Sequence, residues 1–409
     1  MRGNFSTERG EAAGEVVIVG AGPVGLTLAL ALGRAGVEVI LLERRVELRE
    51  TSRAIGITPA SLEIFHRYGV AEELASAGVQ VGDAVIHGDR GEIARVSFRN
   101  LETGFPFILS LPQRKTEEAL LAAVDREPSV RLLKGWTVTG YEPEGEGVRV
   151  RGVEGEFPGG RELACYGRFL CGCDGKHSTI RNAAGAAWSG RELTDTFVMA
   201  DIDDGTSLGE SAHLWFTSGG SVESFPLPRG IRRWIVQTAA YRPEAPAGLV
   251  QAVVASRTGL DLGSSREIWR SSFRTERRVA SFWARPPVFL AGDAAHLMPP
   301  IGGQGMNVGL GDAEHLADLL ALAATEPDQL TELAGAYEKR RRLAFRVAAR
   351  RSILGMKIGT GQGWIVSRLR EALIPAAASG RRGERLMEHF AMLASPNRRS
   401  PWGCSVGGR

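Results

Sequence analysis

Cysteine is scarce in this sequence: Cys165, Cys171, Cys173 and Cys404 are the four among 409 residues. So few exclude a disulfide framework, and Cys171-Gly172-Cys173 lacks the two-residue spacer of zinc and dithiol redox sites. The first three are expected to be buried, reduced thiols. Also missing is any apolar run near the roughly 18 residues that a membrane span needs. The stretch Met1 to Glu15 is polar, without the apolar core of a signal peptide, so a cytoplasmic chain without stable membrane insertion is expected. No internal repeat and no low-complexity tract is visible. A large net charge is absent too, with 50 Lys and Arg against 47 Asp and Glu. The balance is uneven, however: between Lys339 and Arg409 sixteen basic residues face three acids. Such a stretch suits an anionic membrane surface, nucleic acid or a partner, but a solvated helix face is the simpler reading. Weak surface contact is the most expected of it, and no nucleic-acid partner.

What is present is enough apolar residue, 43% of the chain, to bury a large core in one large or two interwoven α/β domains. Val16-Val17-Ile18-Val19 reads as a short buried strand. It runs into Gly20-Ala21-Gly22-Pro23-Val24-Gly25, followed by a helix to about Ala35 and a second strand from Val37 to Leu42, ending at Glu43. Each glycine of this GxGxxG run has a steric reason. Gly20 permits the tight turn, Gly22 lets a pyrophosphate approach the backbone, and Gly25 lets helix and strand pack closely. The helix start, with Pro23 at its first position, offers oriented N–H groups to phosphates. Glu43 is placed to accept hydrogen bonds from an adenosine ribose. This pattern fits FAD or a nicotinamide cofactor, since Arg44 and Arg45 also suit the 2′-phosphate of NADP.

A second site near the other end decides between them. Val288-Phe289-Leu290-Ala291 is another buried strand, leading into Gly292-Asp293-Ala294-Ala295-His296. Pro299-Pro300-Ile301-Gly302-Gly303-Gln304-Gly305-Met306-Asn307 then opens a helix to about Ala324. An acid such as Asp293 at a strand end can hold hydroxyls of a polyol chain. The helix dipole and the amides near Met306 and Asn307 suit negative charge at the pyrimidine edge of a flavin. Simple nicotinamide dehydrogenases have no use for such a site, so FAD is the expected cofactor. His296 reads as structural. Glu314, His315 and Asp318 could be taken for a metal cluster but read better as a solvated helix face, and no metal is expected. Two helices should close the chain around a glycine-rich break at 359–363.

With these motifs in order, the chain resembles the single-component (group A) FAD-dependent monooxygenases of the para-hydroxybenzoate hydroxylase type. Within them it looks most like the aromatic polyketide hydroxylases, over roughly Glu15 to Ala324. Cys173-Asp174-Gly175-Lys176-His177-Ser178-Thr179-Ile180-Arg181 matches that family's Asp-Gly fingerprint. The resemblance ties Asp174, Gly175 and Arg181 to FAD and NAD(P)H; Ser178 can cap a short helix that brings Arg181 to a pyrophosphate. Ser52-Arg53-Ala54 resembles the segment that contacts FAD phosphates, and Pro112-Gln113-Arg114 the one at the ribityl chain. Pro300, Gly303 and Gly305 belong with the ring-binding turn. Many polyketide hydroxylases carry a C-terminal thioredoxin-like domain, whereas this chain ends in a basic helical tail.

Pattern and resemblance together give an α/β fold, a Rossmann-like FAD-binding domain (15–75, 112–182 and 284–325) interwoven with a second mixed β-sheet substrate domain (76–111 and 183–283). A C-terminal helical segment (326–395) follows, between a disordered N-terminus (1–14) and a basic flexible tail (396–409). The resemblance implies that NADPH or NADH reduces FAD without a separate nicotinamide domain. A flavin C4a-hydroperoxide then carries one oxygen from O2 to a phenolic or polyketide-like substrate. Candidates for the substrate pocket are His213, Trp215, Phe225, Trp234 and Gln237 on the second sheet, of which alternation sends about half toward the ligand. No side-chain general base is identifiable. Epoxidation, Baeyer–Villiger oxygenation, prenyl reduction or non-catalytic flavin binding would use the same scaffold; the WxWxIP segment of flavin halogenases is absent. A monomer or homodimer is expected.

Overall fold

The computed structural model describes residues 12–51, 53–155, 159–300 and 302–393. The basic tail 396–409, Cys404, Ser52 and Ile301 lie outside the described residues, as do residues 1–11. Disorder through residue 14 is not what the structure has. Strand β1 (Ala12–Val19) already begins at Ala12, which pairs with Cys165.

Along the chain follow α1 (Pro23–Arg34), β2 (Val39–Glu43), β3 (Gly56–Ile57), α2 (Pro59–Arg67), α3 (Ala71–Ala77), β4 (Val79–Val81), β5 (Asp83–Gly88), β6 (Gly91–Ser97) and β7 (Ile108–Ser110). Next come α4 (Gln113–Val124), β8 (Val130–Lys134), β9 (Trp136–Glu144), β10 (Gly147–Glu154), β11 (Arg161–Gly172), α5 (Thr179–Ala183), β12 (Trp188–Asp203), β13 (Ala212–Thr217), β14 (Gly220–Leu227) and β15 (Ile231–Thr238). The last part holds α6 (Leu249–Thr258), β16 (Glu267–Ala280), β17 (Ala284–Arg285), β18 (Val288–Leu290), β19 (His296–Leu297), α7 (Gln304–Thr325), α8 (Leu330–Thr360), α9 (Trp364–Ala378) and α10 (Gly380–Phe390).

These strands make two large sheets and a small one. The first sheet runs β17-β18-β11-β1-β2-β8, with β10 and β9 continuing from β11. Its central strands β18, β11, β1, β2 and β8 are parallel. A parallel sheet is covered on both faces, which is why β1 ends in an unbroken apolar run. Helix α1 (PVGLTLALALGR) is apolar nearly all round for a related reason, being packed against α4 and α7 as well as the sheet. The second sheet runs β19-β16-β12-β15-β14-β13-β5-β6 and is mixed, with only β13 and β5 parallel. The small sheet β3-β7-β4 packs its β4 and β7 against β14 of the second sheet. This is the α/β architecture the sequence calls for.

Two expectations about the C-terminus are corrected. Three helices close the described chain, not two, because a second break at Ser379 and Gly380, with Gly380 at φ +55°, separates α9 from α10. The basic stretch is not simply a solvated face: Arg341 and Arg370 are buried and donate to carboxylate and backbone oxygens. Among the described residues no helix is long and apolar enough to cross a membrane.

Candidate cofactor and substrate site

The three motifs leave the first sheet from neighbouring strand ends. Val19 of β1 pairs with Gly172 of β11 on one side and Leu42 of β2 on the other, and Gly172 pairs with Leu290 of β18. Gly20, Cys173 and Ala291 therefore begin their turns at one level, and Glu43 follows Leu42 at the same edge. Three strand spacings of about 4.8 Å separate Glu43 from the Asp293 turn. Ligands of open α/β sheets bind at this carboxyl edge.

At the first turn the glycines have different duties. Gly20 has φ +101°, and a Cβ on it would lie 2.5 Å from the Cys173 carbonyl oxygen; one on Gly25 would overlap the Gly20 carbonyl. Beside Gly22 a Cβ would meet nothing within 4 Å. Protein packing thus explains Gly20 and Gly25, while the space at Gly22 is open to a ligand. Gly22 is the N-cap of α1 and Pro23 follows it, with no side chain capping the first turn, so its N–H groups are left for an anion. Glu43 is already engaged: Oε2 accepts from Ala21 N at 2.8 Å, and Oε1 from Arg45 N and Nε at 3.0 and 2.8 Å. Burial pushes its carboxyl up, but these bonds outweigh that and hold it below the usual range. Arg45 is turned back onto Glu43 rather than outward to a 2′-phosphate, and Arg44 is exposed.

The second turn is fastened by Asp174, whose Oδ2 accepts from Thr179 N and Ile180 N at 2.7 and 3.1 Å. Its Oδ1 is buried with no hydrogen-bond partner, an acceptor left for a ligand donor. Gly175 takes φ +79°. Ser178 caps α5 by accepting from Arg181 N at 2.9 Å. The Arg181 side chain does not point at a phosphate position. It is 3% exposed, stacks on Trp188 at 4.0 Å, and donates to the Ala294 and Lys176 carbonyls at 3.3 and 3.0 Å. It ties the second turn to the third.

The third turn is also locked from behind. Asp312 on α7 accepts from Gly292 N at 3.0 Å, from His296 Nε2 at 2.6 Å and from Arg341 Nε of α8 at 2.7 Å. Burial opposes the charge on Asp312, but His296 and Arg341 together hold its carboxyl below the usual range. A Cβ on Gly292 would press on Val24 at 2.9 Å, and one on Gly309 at 2.7 Å. The first and third motifs are therefore in contact. Asp293 itself is exposed, yet surrounding protein pushes its carboxyl up. Gly302 and Gly303, at φ +81° and +64°, lead into α7, whose N-cap Gly303 leaves the first turn without a side-chain cap. Pro300 is exposed, and Gly305 and Met306 are half-buried. The Asn307 side chain is committed to the protein. It accepts from Thr58 N at 3.0 Å and donates to the Gly56 and Gly303 carbonyls.

Two lesser expectations change. Arg53 reaches the second sheet, donating to Ser271 Oγ at 3.2 Å and the Ser272 carbonyl at 3.0 Å. Gln113 donates to Glu117 at 2.7 Å one turn along α4. The Glu314, His315 and Asp318 group is not a solvated face. Glu314 and His315 are 5% and 0% exposed; Glu314 pairs with Arg67, and His315 lies between the Gly311 carbonyl and Arg340. No cluster able to hold a metal occurs among the described residues.

On the second sheet, alternation separates the substrate candidates. His213, Trp215 and Trp234 lie on the outer face, where Trp215 and Trp234 pack with Val198, Val236 and the α6 residues Val250 and Val254. Trp215 and Trp234 stack at 5.8 Å between centroids, and His213 sits 3.0 Å from His87 with its imidazole pushed down to about 4 by burial. They are core, not pocket. Phe225 and Gln237 are on the inner face. Gln237 is spent on Ser221 N and the Thr360 carbonyl, whereas Phe225 is half-buried beside Phe390 of α10. The inner face also carries Leu214, Phe216 and Ile235, all half-buried, and Glu223, which sequence reasoning missed. An acid within the strand-like run Val222-Glu223-Ser224-Phe225 was its one signal.

Aligned turns on one strand edge, an open space over Gly22 and an orphan acceptor on Asp174 give a two-sheet fold with the carboxyl-edge geometry of a dinucleotide site. The chain belongs to the FAD binding domain family, which matches it over residues 13–352. Among curated relatives it is 34% identical to 6-methylpretetramide 4-monooxygenase of Streptomyces rimosus, over 75% of this chain and 55% of that protein. It is 32% identical to a 12-dehydrotetracycline 5-monooxygenase/anhydrotetracycline 6-monooxygenase of the same species, over 80% and 66%. The chain thus spans about half to two thirds of their length. An anhydrotetracycline hydroxylase structure from Streptomyces rimosus aligns with a TM-score of 0.78 at 27% identity, over 95% of this chain and 77% of that one. A p-nitrophenol 4-monooxygenase structure from Pseudomonas putida, at 24% identity, shares the fold with a TM-score of 0.83 over 95% and 99%.

Proposed function

We propose that the chain is an FAD-dependent aromatic hydroxylase that consumes NADPH or NADH and O2 and inserts one oxygen into a phenolic or polyketide-like substrate. The observation that carries it is the register that brings the Gly20, Asp174 and Asp293 turns to one sheet edge, in a fold whose second sheet carries half-buried Leu214, Phe216, Phe225 and Ile235 on one face. The relatives named as monooxygenases and hydroxylases of aromatic compounds support the substrate class.

The residues fit FAD. The Gly20–Gly25 turn and the α1 N-terminus would take the phosphates, the Glu43 side the ribose, Asp293 the polyol chain, and the start of α7 near Gly305 and Met306 the ring. Bound FAD would supply electron transfer from NAD(P)H and the activation of O2. The chain's own work is positional. The uncapped first turn of α7 favours negative charge at the ring edge. The inner face of the second sheet orients a flat apolar substrate and keeps water from the reacting atoms. Arg181 and Asp312 hold the turns so that these groups stay fixed.

The purified protein should be yellow and release FAD on denaturation. With NAD(P)H and a panel of phenols, the product should gain one oxygen by mass. A colourless protein that takes up no added FAD would refute the cofactor assignment, and a product that lost a double bond without using O2 would refute hydroxylation.

A further inference from the structure

We propose that Glu223 is a catalytic residue that meets the hydroxyl of the aromatic substrate and takes its proton. This rests on the hydroxylase reading above. Glu223 sits in mid-strand on the inner face of β14, directly opposite Leu214 of β13 and Ile235 of β15. The same row continues through Met199 of β12 to Ser271 of β16, where Arg53 is bound. Two residues along the strand on the same face, Phe225 belongs to one apolar cluster with Phe390 of α10, and a Cβ on Gly302 in the ring-binding turn would lie 3.3 Å from Phe390. The inner face that carries Glu223 is thus joined through α10 to the third motif.

Its surroundings are unusual for a structural acid. Glu223 is 6% exposed, and among the described residues nothing donates a hydrogen bond to it. Two residues away on the same face, the Ser221 hydroxyl is 1% exposed and also without a partner, as is Ser110 on the adjoining β7. Native proteins rarely leave buried hydroxyls like these two unsatisfied, and a catalytic role is among the exceptions. The charged groups on the elements packed against β14 are engaged elsewhere. His213 is with His87, Arg232 with Asp204, Arg233 with Asp201, and Arg257 with the Ser221 and Gln237 carbonyls. On α8, Lys357 and Arg350 are exposed and Arg351 is half-buried within electrostatic reach of His389 of α10, and β4 and β7 carry no titratable side chain. Burial alone pushes the Glu223 carboxyl up to about 7, within the range where a general base works best. The step is balanced: the substrate O–H bond breaks, the proton passes to a Glu223 oxygen, and the ring is left as an electron-rich phenolate. The proton returns to water when product leaves.

The test uses the flavin-loaded full chain and 4-nitrophenol, whose ionisation is visible. Mixed at a pH just above about 7, where Glu223 is ionised, 4-nitrophenol is expected to give up its proton to Glu223 and bind wild type partly as the phenolate with a neutral carboxyl beside it, and to bind Glu223→Gln as the neutral phenol, with Glu223→Asp partly restoring the transfer. Turnover of the best phenol should fall about 100-fold or more in Glu223→Gln, and the acid limb of its kcat/KM profile should disappear. Folding of the variant is checked by its melting temperature. A carboxyl raised in the native state weakens it as pH climbs through about 7. Glu223→Gln should therefore melt above wild type at high pH, the gap closing toward the ordinary carboxylate range. A wild type that leaves 4-nitrophenol neutral or unbound overturns the role of Glu223, as does a Gln variant that still ionises it. Absence of flavin and of oxygenated product in wild type would instead refute the hydroxylase reading.

Discussion

The carboxyl edge of the first sheet and the inner face of the second would meet the proposed ligands in opposite ways. At the edge the backbone does the holding: glycine turns, uncapped helix starts and carboxylates that serve mainly to fix those turns. On the inner face the side chains do it, with Leu214, Phe216, Phe225 and Ile235 half-buried around Glu223. Changes that crowd or unpair the edge should thus act nearly all-or-none, and changes on the face should be graded and substrate-dependent.

The largest effect is expected from Gly25→Val, since a side chain there overlaps the Gly20 carbonyl. A cost of about 3 kcal/mol or more should leave little folded, flavin-bound protein, read by soluble yield and flavin absorbance. Next comes Asp312→Ala, which strands the buried Arg341 and His296 and should cost about 3–5 kcal/mol in denaturant unfolding. Because the native Asp312 carboxyl is depressed, its stabilisation is present above the unfolded pKa of about 4 and is lost as pH falls through the lower native value. The difference between wild type and variant should shrink accordingly in acid. A flat pH dependence would detach Asp312 from the network.

The two faces of the second sheet can be set against each other directly. Trp234→Ala, on the outer face, should cost about 3–5 kcal/mol with KM for substrate unchanged. Ile235→Ala, one residue on and half-buried, should cost under about 2 kcal/mol and raise KM. Equal KM shifts would break the distinction. The mildest structural effect belongs to Gly22→Ala, because Gly22 has extended backbone at φ −80° and free space beside it. Stability should stay within about 0.5 kcal/mol, while FAD affinity in a titration drops about tenfold or more.

The same contrast explains what the sequence disclosed. Backbone turns need glycines at fixed offsets, so Gly20, Gly22, Gly25, Gly175, Gly302 and Gly303 announce themselves. The strands feeding those turns are apolar runs with no competing reading. A strand face carries no such marker. His213 and Trp215 alternate with Leu214 and Phe216, so both faces of β13 are apolar or aromatic. The packing of α6 on one of them, which buries Trp215 with Val250 and Val254, is not visible in the alternation. Long-range partners were equally hidden. Glu314 is neutralised by Arg67, 247 residues away, and Arg53 is held by Ser271, 218 residues away. No local spacing encodes either pair.

The link from Gly292 through Asp312 to Arg341 has a practical consequence for anyone building chimeras of this scaffold. A graft that carried the strand, its turn and α7 but borrowed the next helix from elsewhere would import an anion into an apolar interior without its countercharge. The junction has to fall beyond Arg341, however natural a seam the loop before α8 looks.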